Sequence, residues 1–489
     1  MKKNIKSLCS IGIIALLFFL CGCQKSPEKN VVTSKNDGSF DTSIIQSATQ
    51  PEQINPPTKI STDEVFYSTD GTVEFRMAIC EDEKKESWPV VEVAPHYLSE
   101  EDVKRVAYTL FGDVQMYEAE PALATTYSQD EIREKIERWS QYANVNAVTE
   151  LLGEKKNNEN TVRDIKLFIE DYTNLYDSAP IDNPHTLCEW KFRKHSHYHA
   201  TPDEIKSLNT SDDNDKIAAT VQLGKIHYYF AAATRNMEDY KLNKISAYLY
   251  DGLGPNMIDE RIFRAWLCRT QEPTENQIAN AKSKAETILK QMQLGEWQID
   301  ECYVETKLYG DVAEYIIHVN AVPVLNGVPA IRVPQLTNLK SDEVYASNYY
   351  ITDTEFEFSA NGDLVSFHLY SPIDIVNTVN DNVAVKYTSE LLELAKNYLE
   401  LSDYYEYGMG PIIDSLGEEI KCTITISELD NNLVRVKVPN SDESYYYVPA
   451  IVLKGDVEYS SASNGDIYFV SNKVTLVTIN AVDGTIIHN

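Results

Sequence analysis

The densest row of chemistry-bearing side chains is His195-Ser196-His197-Tyr198-His199. In a strand, alternate residues share a face. Lys191, Arg193, His195, His197 and His199 then line one side, with Trp190, Phe192 and Tyr198 opposite. Imidazoles spaced i, i+2, i+4 can supply zinc ligands, two more readily than three from one flat strand. His195, His197 and His199 are therefore the candidate metal ligands. The neighbouring Lys191 and Arg193 oppose a cation. The same row also reads as a basic face that meets acidic neighbours, or as a loop with no special role.

Other chemistry is sparse. There is no H-E-x-x-H, no G-x-S-x-G, no phosphate-cradling glycine loop and no calcium loop. Ser26-Pro27-Glu28-Lys29 matches S-x-x-K by letter, in a stretch too polar to form a pocket. Carboxylates abound, but no pair stands out for acid–base work. Glu100, Glu101 and Asp102 read as a helix cap. Gly408-Met409-Gly410-Pro411 reads as a turn after a helix. No catalytic residue and no cofactor is assigned on these grounds.

One cysteine has a clear role. Lys2, Lys3 and Lys6 precede an apolar run from Ile11 to Leu20, the layout of an export signal. The run is too short to span a bilayer, which takes roughly 20 apolar residues. Leu20-Cys21-Gly22-Cys23 follows and resembles the bacterial lipobox, which implies cleavage before Cys23 and a diacylglycerol on its thiol. Residues 1–22 are thus read as a lipoprotein signal peptide. Residues 23–60 are the lipidated cysteine and a flexible stalk, rich in Ser, Thr, Asn and Pro and unable to repay its ordering entropy. The expected location is the extracytoplasmic face of the cell membrane, held by lipid at Cys23.

The charge agrees. The chain carries −31, and loss of Lys2, Lys3 and Lys6 with the signal takes it to −34. Such a body is repelled by nucleic acid and by anionic lipid. No nucleic-acid partner is expected; an envelope protein or peptide is. Among the other mature cysteines, Cys80, Cys188, Cys268, Cys302 and Cys422, no CxxC occurs. Cys268 and Cys302, which flank one helix, are the best candidates for a pair.

Positioning falls to an α+β body of several domains, with antiparallel sheets each covered by amphipathic helices. Residues 61–255 read as one α+β domain. Strand patterns occupy Glu64 to Ala94, broken by Asp70-Gly71. Ser99 and Asp102 form a capping box for a helix with Val103, Val106, Ala107 and Leu110 on one stripe. Further helices start near Gln129 and Thr161, and strands run from Cys188 to Asp251. Residues 256–380 read as a helix capped by Thr274 and Gln277, closed by Gly295, then strands with an Asn361-Gly362 hairpin. Residues 381–489 read as a helix over Tyr387 to Leu399, then strands, with tight turns at Asn431-Asn432 and Asn464-Gly465. The last two blocks share one order, helix then meander. They read as a degenerate duplication or as two unrelated units.

The closing stretch, SYYYVPAIVLKG and then VTLVTINAVDGTIIHN, resembles the end of PepSY-like and YycI/YycH-like extracytoplasmic domains. The matching residues are Tyr447, Pro449, Ala450, Asn480, Ala481, Asp483, Gly484 and Ile486. That resemblance implies inhibition of peptidases or regulation of envelope partners by contact. More broadly, the lipobox, the stalk, the helical first region and the segment from Phe358 to Val376 resemble an uncharacterised family of lipoproteins of gut clostridia and their relatives. Together these point to a non-catalytic protein-, peptide- or wall-binding module. The alternatives are an envelope hydrolase with an unrecognised site and a solute-binding lipoprotein.

Overall fold

The computed structural model describes residues 42–48, 59–82, 88–119, 127–152, 158–182, 185–194, 215–224, 226–234, 243–249, 264–265, 267–269, 271–309, 312–332, 352–401, 420–438, 444–462, 465 and 467–487. Cys23, the signal-like segment, and His195, His197 and His199 lie outside the described residues.

Strands β1 (Lys59–Tyr67) and β2 (Val73–Asp82) flank Asp70-Gly71, where Gly71 takes φ +76°. β3 (Val90–Pro95) leads to α1 (Glu100–Phe111). Its capping box is formed in full: Ser99 Oγ accepts from the Asp102 N–H, and the Asp102 carboxylate accepts from the Ser99 N–H. β4 (Met116–Glu118) follows, then α2 (Gln129–Ser140), capped in the same way by Ser128 and Glu131. Next come α3 (Val145–Leu152), absent from the sequence reading, and α4 (Asn158–Tyr176). The strands β5 (Arg193–Lys194), β6 (Asp215–Leu223), β7 (Ile226–Thr234) and β8 (Lys244–Leu249) precede α5 (Glu275–Met292). Thr274 and Gln277 cap α5; Gln293, at φ 56°, takes the left-handed end position instead of Gly295.

The chain then runs through β9 (Trp297–Tyr309), β10 (Val312–Leu325), β11 (Val328–Pro329), β12 (Asp353–Phe358), β13 (Leu364–Tyr370) and β14 (Ile373–Asn380). Helix α6 (Thr388–Leu401) and strands β15 (Ile420–Lys437), β16 (Tyr445–Ser461), β17 (Ile467–Asn480) and β18 (Ile486–Ile487) complete it. Asn431-Asn432 is not a turn. It lies inside β15, because Leu429, Leu433 and Val434 around it are buried and hold the strand extended.

The fold is α+β, and the chain divides into two compact units. The first comprises Met1–Ser87, Val383–Asn431 and Pro449–His488. Its strands run in the order β1-β2-β15-β16-β17-β18. The β2–β15 contact is parallel, from Cys422 opposite Val73 to Ile426 opposite Met77. Helix α6 packs Leu391, Leu392, Ala395 and Leu399 into a core with Phe75, Ile424, Leu453 and Ile479.

The second unit comprises Trp88–Asn382, Asn432–Val448 and Asn489. Its ten-stranded sheet runs β11-β10-β12-β13-β8-β7-β6-β4, with β9 on β10 and β5 on β6. The expected boundary near residue 255 falls inside this unit, since β8 pairs with β13 over Lys244 to Tyr248. One sheet face is apolar: Ile317, Val319, Phe356, Phe358, Phe367, Leu369, Ile245 and Phe230 pack with Val103, Val106 and Ala107 of α1 and Ala281, Ala285 and Ile288 of α5. Helices α2 to α4 form their own cluster around Trp139, Ile165 and Tyr172. No helix among the described residues is long and apolar enough to cross a membrane.

Candidate functional site

The opposite face of the ten-stranded sheet is where polar chemistry collects. Strand β12 reads Asp353-Thr354-Glu355-Phe356-Glu357-Phe358. Period two sends Phe356 and Phe358 into the core and Asp353, Glu355 and Glu357 to the other side. Register extends this split across the sheet. One row runs Glu301, Asn320, Glu355, His368, Ser246 and Ala231. The next runs Tyr303, His318, Glu357, Ser366, Tyr248 and Tyr229. A third places Asp353 opposite Tyr370 and Tyr370 opposite Lys244.

Arg332 organises the first and third rows. Its guanidinium lies 3.6 Å from Glu301 and 3.4 Å from Asp353, and donates to Glu355. Burial pulls this guanidinium down, but the Asp353, Glu355 and Glu301 carboxylates win and hold its pKa up. Asp353 is 3% exposed. Burial lifts its carboxyl to about 7, against the pull of Arg332 and with the push of Glu355. Its Oδ1 has no hydrogen-bond partner, nor has Nδ2 of the equally buried Asn320. Lys244 sits 3.4 Å from the Tyr370 hydroxyl and 4.5 Å from that ring's centre. Burial lowers its pKa despite Glu355 and Asp353.

The second row is flanked by aromatic pairs. The Tyr303 and His318 rings stack at 4.9 Å, and those of Tyr229 and Tyr248 lie 5.2 Å apart. Tyr303 is 47% exposed and Tyr248 38%. His318 Nε2 lies 3.1 Å from Glu305, which also pairs with Lys307 at 3.0 Å. Burial resists ionisation of Glu305, yet hydrogen bonds from Lys307 and His318 keep it below the usual carboxylate range. Arg264 pairs with Glu357 at 3.3 Å, and the deeply buried Arg269 with Glu314 at 3.4 Å.

A serine and a histidine also meet: Ser246 Oγ lies 3.1 Å from His368 Nδ1. Burial, aided by Lys244, depresses His368 to about 4, so it is a weak base at neutral pH. Strand β8 is paired on both sides around Ser246, with Ala231 and with His368. Its backbone N–H groups are engaged in ladders and supply no oxyanion hole.

The sequence-predicted sites fare differently. His195, His197, His199 and Cys23 fall outside the described residues. Among the described residues no cluster of three His, Cys, Asp or Glu is placed to hold a metal ion. Cys268 and Cys302, the expected pair, are not bridged to each other, and burial pushes the Cys268 thiol up to about 12. Glu100 to Asp102 cap α1 as read, beside a cavity of ≈ 520 Å³ bordered by Tyr97, Phe192 and Thr234. Of the closing motif, Asn480 Oδ1 accepts from the Val482 N–H, Asp483 Oδ1 from the Thr485 N–H, and Ala481 donates to the Pro449 carbonyl. The first two bonds shape the turn between β17 and β18 in the first unit, and the third fastens its start to β16. The polar face itself escaped the sequence reading. The D-T-E-F-E-F alternation was its one visible signal, and the cross-strand rows depend on non-local register.

No protein-family model matches the chain, and no curated protein does. Among solved structures, the chain is similar to an uncharacterized protein from Eubacterium rectale. The two share 10% identity over 90% of this chain and 96% of that one, at a TM-score of 0.36.

Proposed function

We propose that this chain is an extracytoplasmic lipoprotein, tethered through Cys23, whose folded part binds an envelope ligand without turning it over. The observation that carries the binding role is the split sheet of the second unit. A face that only needed solvation would carry scattered charges. This one carries two aromatic pairs, each with one exposed tyrosine, in register with the arginine-paired Glu357. Exposed tyrosine combined with arginine is the composition of recognition surfaces. The weak basicity of His368 and the occupied ladders at Ser246 weigh against the hydrolase alternative.

The test is co-sedimentation of the full-length exported protein with isolated cell envelopes. Tyr303→Ala together with Tyr248→Ala should abolish retention of a delipidated sample while leaving its circular dichroism unchanged. Equal retention of the double variant, or turnover of an envelope substrate by the wild type, would count against a non-catalytic role for this face.

A further inference from the structure

We propose that the polar face of the ten-stranded sheet is a binding strip for a neutral oligosaccharide, laid across the strands from Tyr303 to Tyr248. This rests on the binding role proposed above and names its ligand class. Three features of the face select that chemistry.

The first is charge balance. Glu301, Glu355 and Asp353 share Arg332, Glu357 has Arg264, and Glu305 has Lys307. Although the chain as a whole is −31, these five carboxylates face four cations once Lys244, beside Glu355 and Asp353, is counted, so little net charge is left for recognition. What it does present is a dense alternation of donors and acceptors. A ligand rich in hydroxyls, each both donor and acceptor, matches such an array. The buried, unpartnered Asp353 Oδ1 and Asn320 Nδ2 leave hydrogen-bonding capacity unspent beneath it.

The second feature is the pair of aromatic platforms. Tyr303 stands on the edge strand β9 and Tyr248 on β8, both exposed and both on the same face. They provide flat apolar surface with a polar tip, which suits a ring that is apolar on its faces and polar at its rim. Four strand spacings separate them, about 19 Å at the usual distance between neighbours. That is the reach of a short oligosaccharide, not of a single small solute.

The third feature rules between a glycan and a peptide. An extended peptide must satisfy its own N–H and C=O groups, usually by adding to a sheet edge. Between β10 and β8 the strands are paired on both sides, so the face offers side chains and no free ladder. A glycan has no such requirement.

The experiment is calorimetric titration of the full-length exported protein with three probes: mixed-linkage β-glucan, soluble starch and chitooligosaccharide. At least one should bind. Tyr303→Ala and Tyr248→Ala should each weaken that binding about tenfold, the scale of one lost aromatic platform. Tyr303→Phe, which keeps the ring, should bind nearly as the wild type and serves as the folded control. Raising salt to physiological strength should change the Kd by under about twofold, since no net charge is neutralised. The proposal is overturned if no probe binds, if both alanine variants bind as well as the wild type, or if affinity falls steeply with salt. Tyrosine-dependent retention on envelopes without glycan binding would sink the oligosaccharide alone. Absence of both would sink the binding role with it.

Discussion

Asp353 and His368 occupy neighbouring strands, β12 and β13, and burial moves their pKa values in opposite senses. Asp353 rises from 3.8 to about 7, and His368 falls from 6.5 to about 4. Between about pH 4 and 7 the folded chain keeps the Asp353 proton that the unfolded chain has lost. Stability from this group is therefore full below the unfolded value and declines as pH rises through the folded one. Between about pH 4 and 6.5 the unfolded chain carries a His368 proton that the folded chain rejects, so this contribution grows with pH. Each effect is worth on the order of 3–4 kcal/mol. In the wild type the two slopes offset from about pH 4 to 6.5. Asp353→Asn should expose the His368 slope, with urea stability rising across that window. His368→Gln should expose the Asp353 slope, with stability falling. Parallel profiles for both variants would mean that the two groups are not protonated as described. Arg332 is the other single point of failure. Arg332→Met leaves Glu301, Glu355 and Asp353 without the guanidinium that contacts all three, with only Lys244 nearby. Loss of one partner from a buried ionic cluster costs about 3–5 kcal/mol, and thermal unfolding of the second unit should register it.

At the scale of elements, Gly455 shows how closely β15 and β16 approach in the first unit. A Cβ there would lie 2.2 Å from the Thr425 carbonyl oxygen. Backbone, not a yielding side chain, is in the way. Gly455→Ala should destabilise the unit by about 1–3 kcal/mol or more, read as a lowered Tm with no change in the environment of Tyr303 and Tyr248. Ser99→Ala tests a different device: loss of its hydroxyl from the α1 cap should cost about 1 kcal/mol. These two positions also mark what could be read in advance. The caps of α1 and α5 were legible because Ser99/Asp102 and Thr274/Gln277 act within one turn. The Asn361-Gly362 hairpin was legible for the same reason, and Gly362 duly takes φ +81°. The Gly455 contact was not, because its partner strand is set by the core. Asn431-Asn432 misled because its turn chemistry is local, while the burial of Leu429, Leu433 and Val434 that overrides it is tertiary. The division into two compact units was not legible on the same ground. β2 pairs with β15 and β8 with β13, and each pairing joins segments far apart in the chain. Of the candidate site, the alternating acids of β12 were visible, whereas Arg332 and Lys244 join them only through the folded register.

For the molecule as a whole, the charge of the mature chain constrains how it can be held at a membrane. A body at −34 is repelled by anionic headgroups, so electrostatics cannot dock it, and no described helix can span the bilayer. The lipid proposed at Cys23 is a mode of attachment that neither property opposes. One acyl chain gives marginal binding, and two or more give a stable anchor. The native protein should therefore stay with membranes through a high-salt wash and leave them in detergent. Its first mature residue should be Cys23, carrying the mass of a diacylglycerol. Cys23→Ala blocks modification, and with it cleavage by the lipoprotein peptidase. The variant should accumulate at the unprocessed mass, held only by the apolar stretch from Ile11 to Leu20. Replacing residues 1–22 with a cleavable secretion signal, in a chain that also carries Cys23→Ala, removes that residual anchor as well. This form should appear in the medium or periplasm. Retention of that doubly altered chain on washed membranes would mean that a protein surface, not lipid, holds it there.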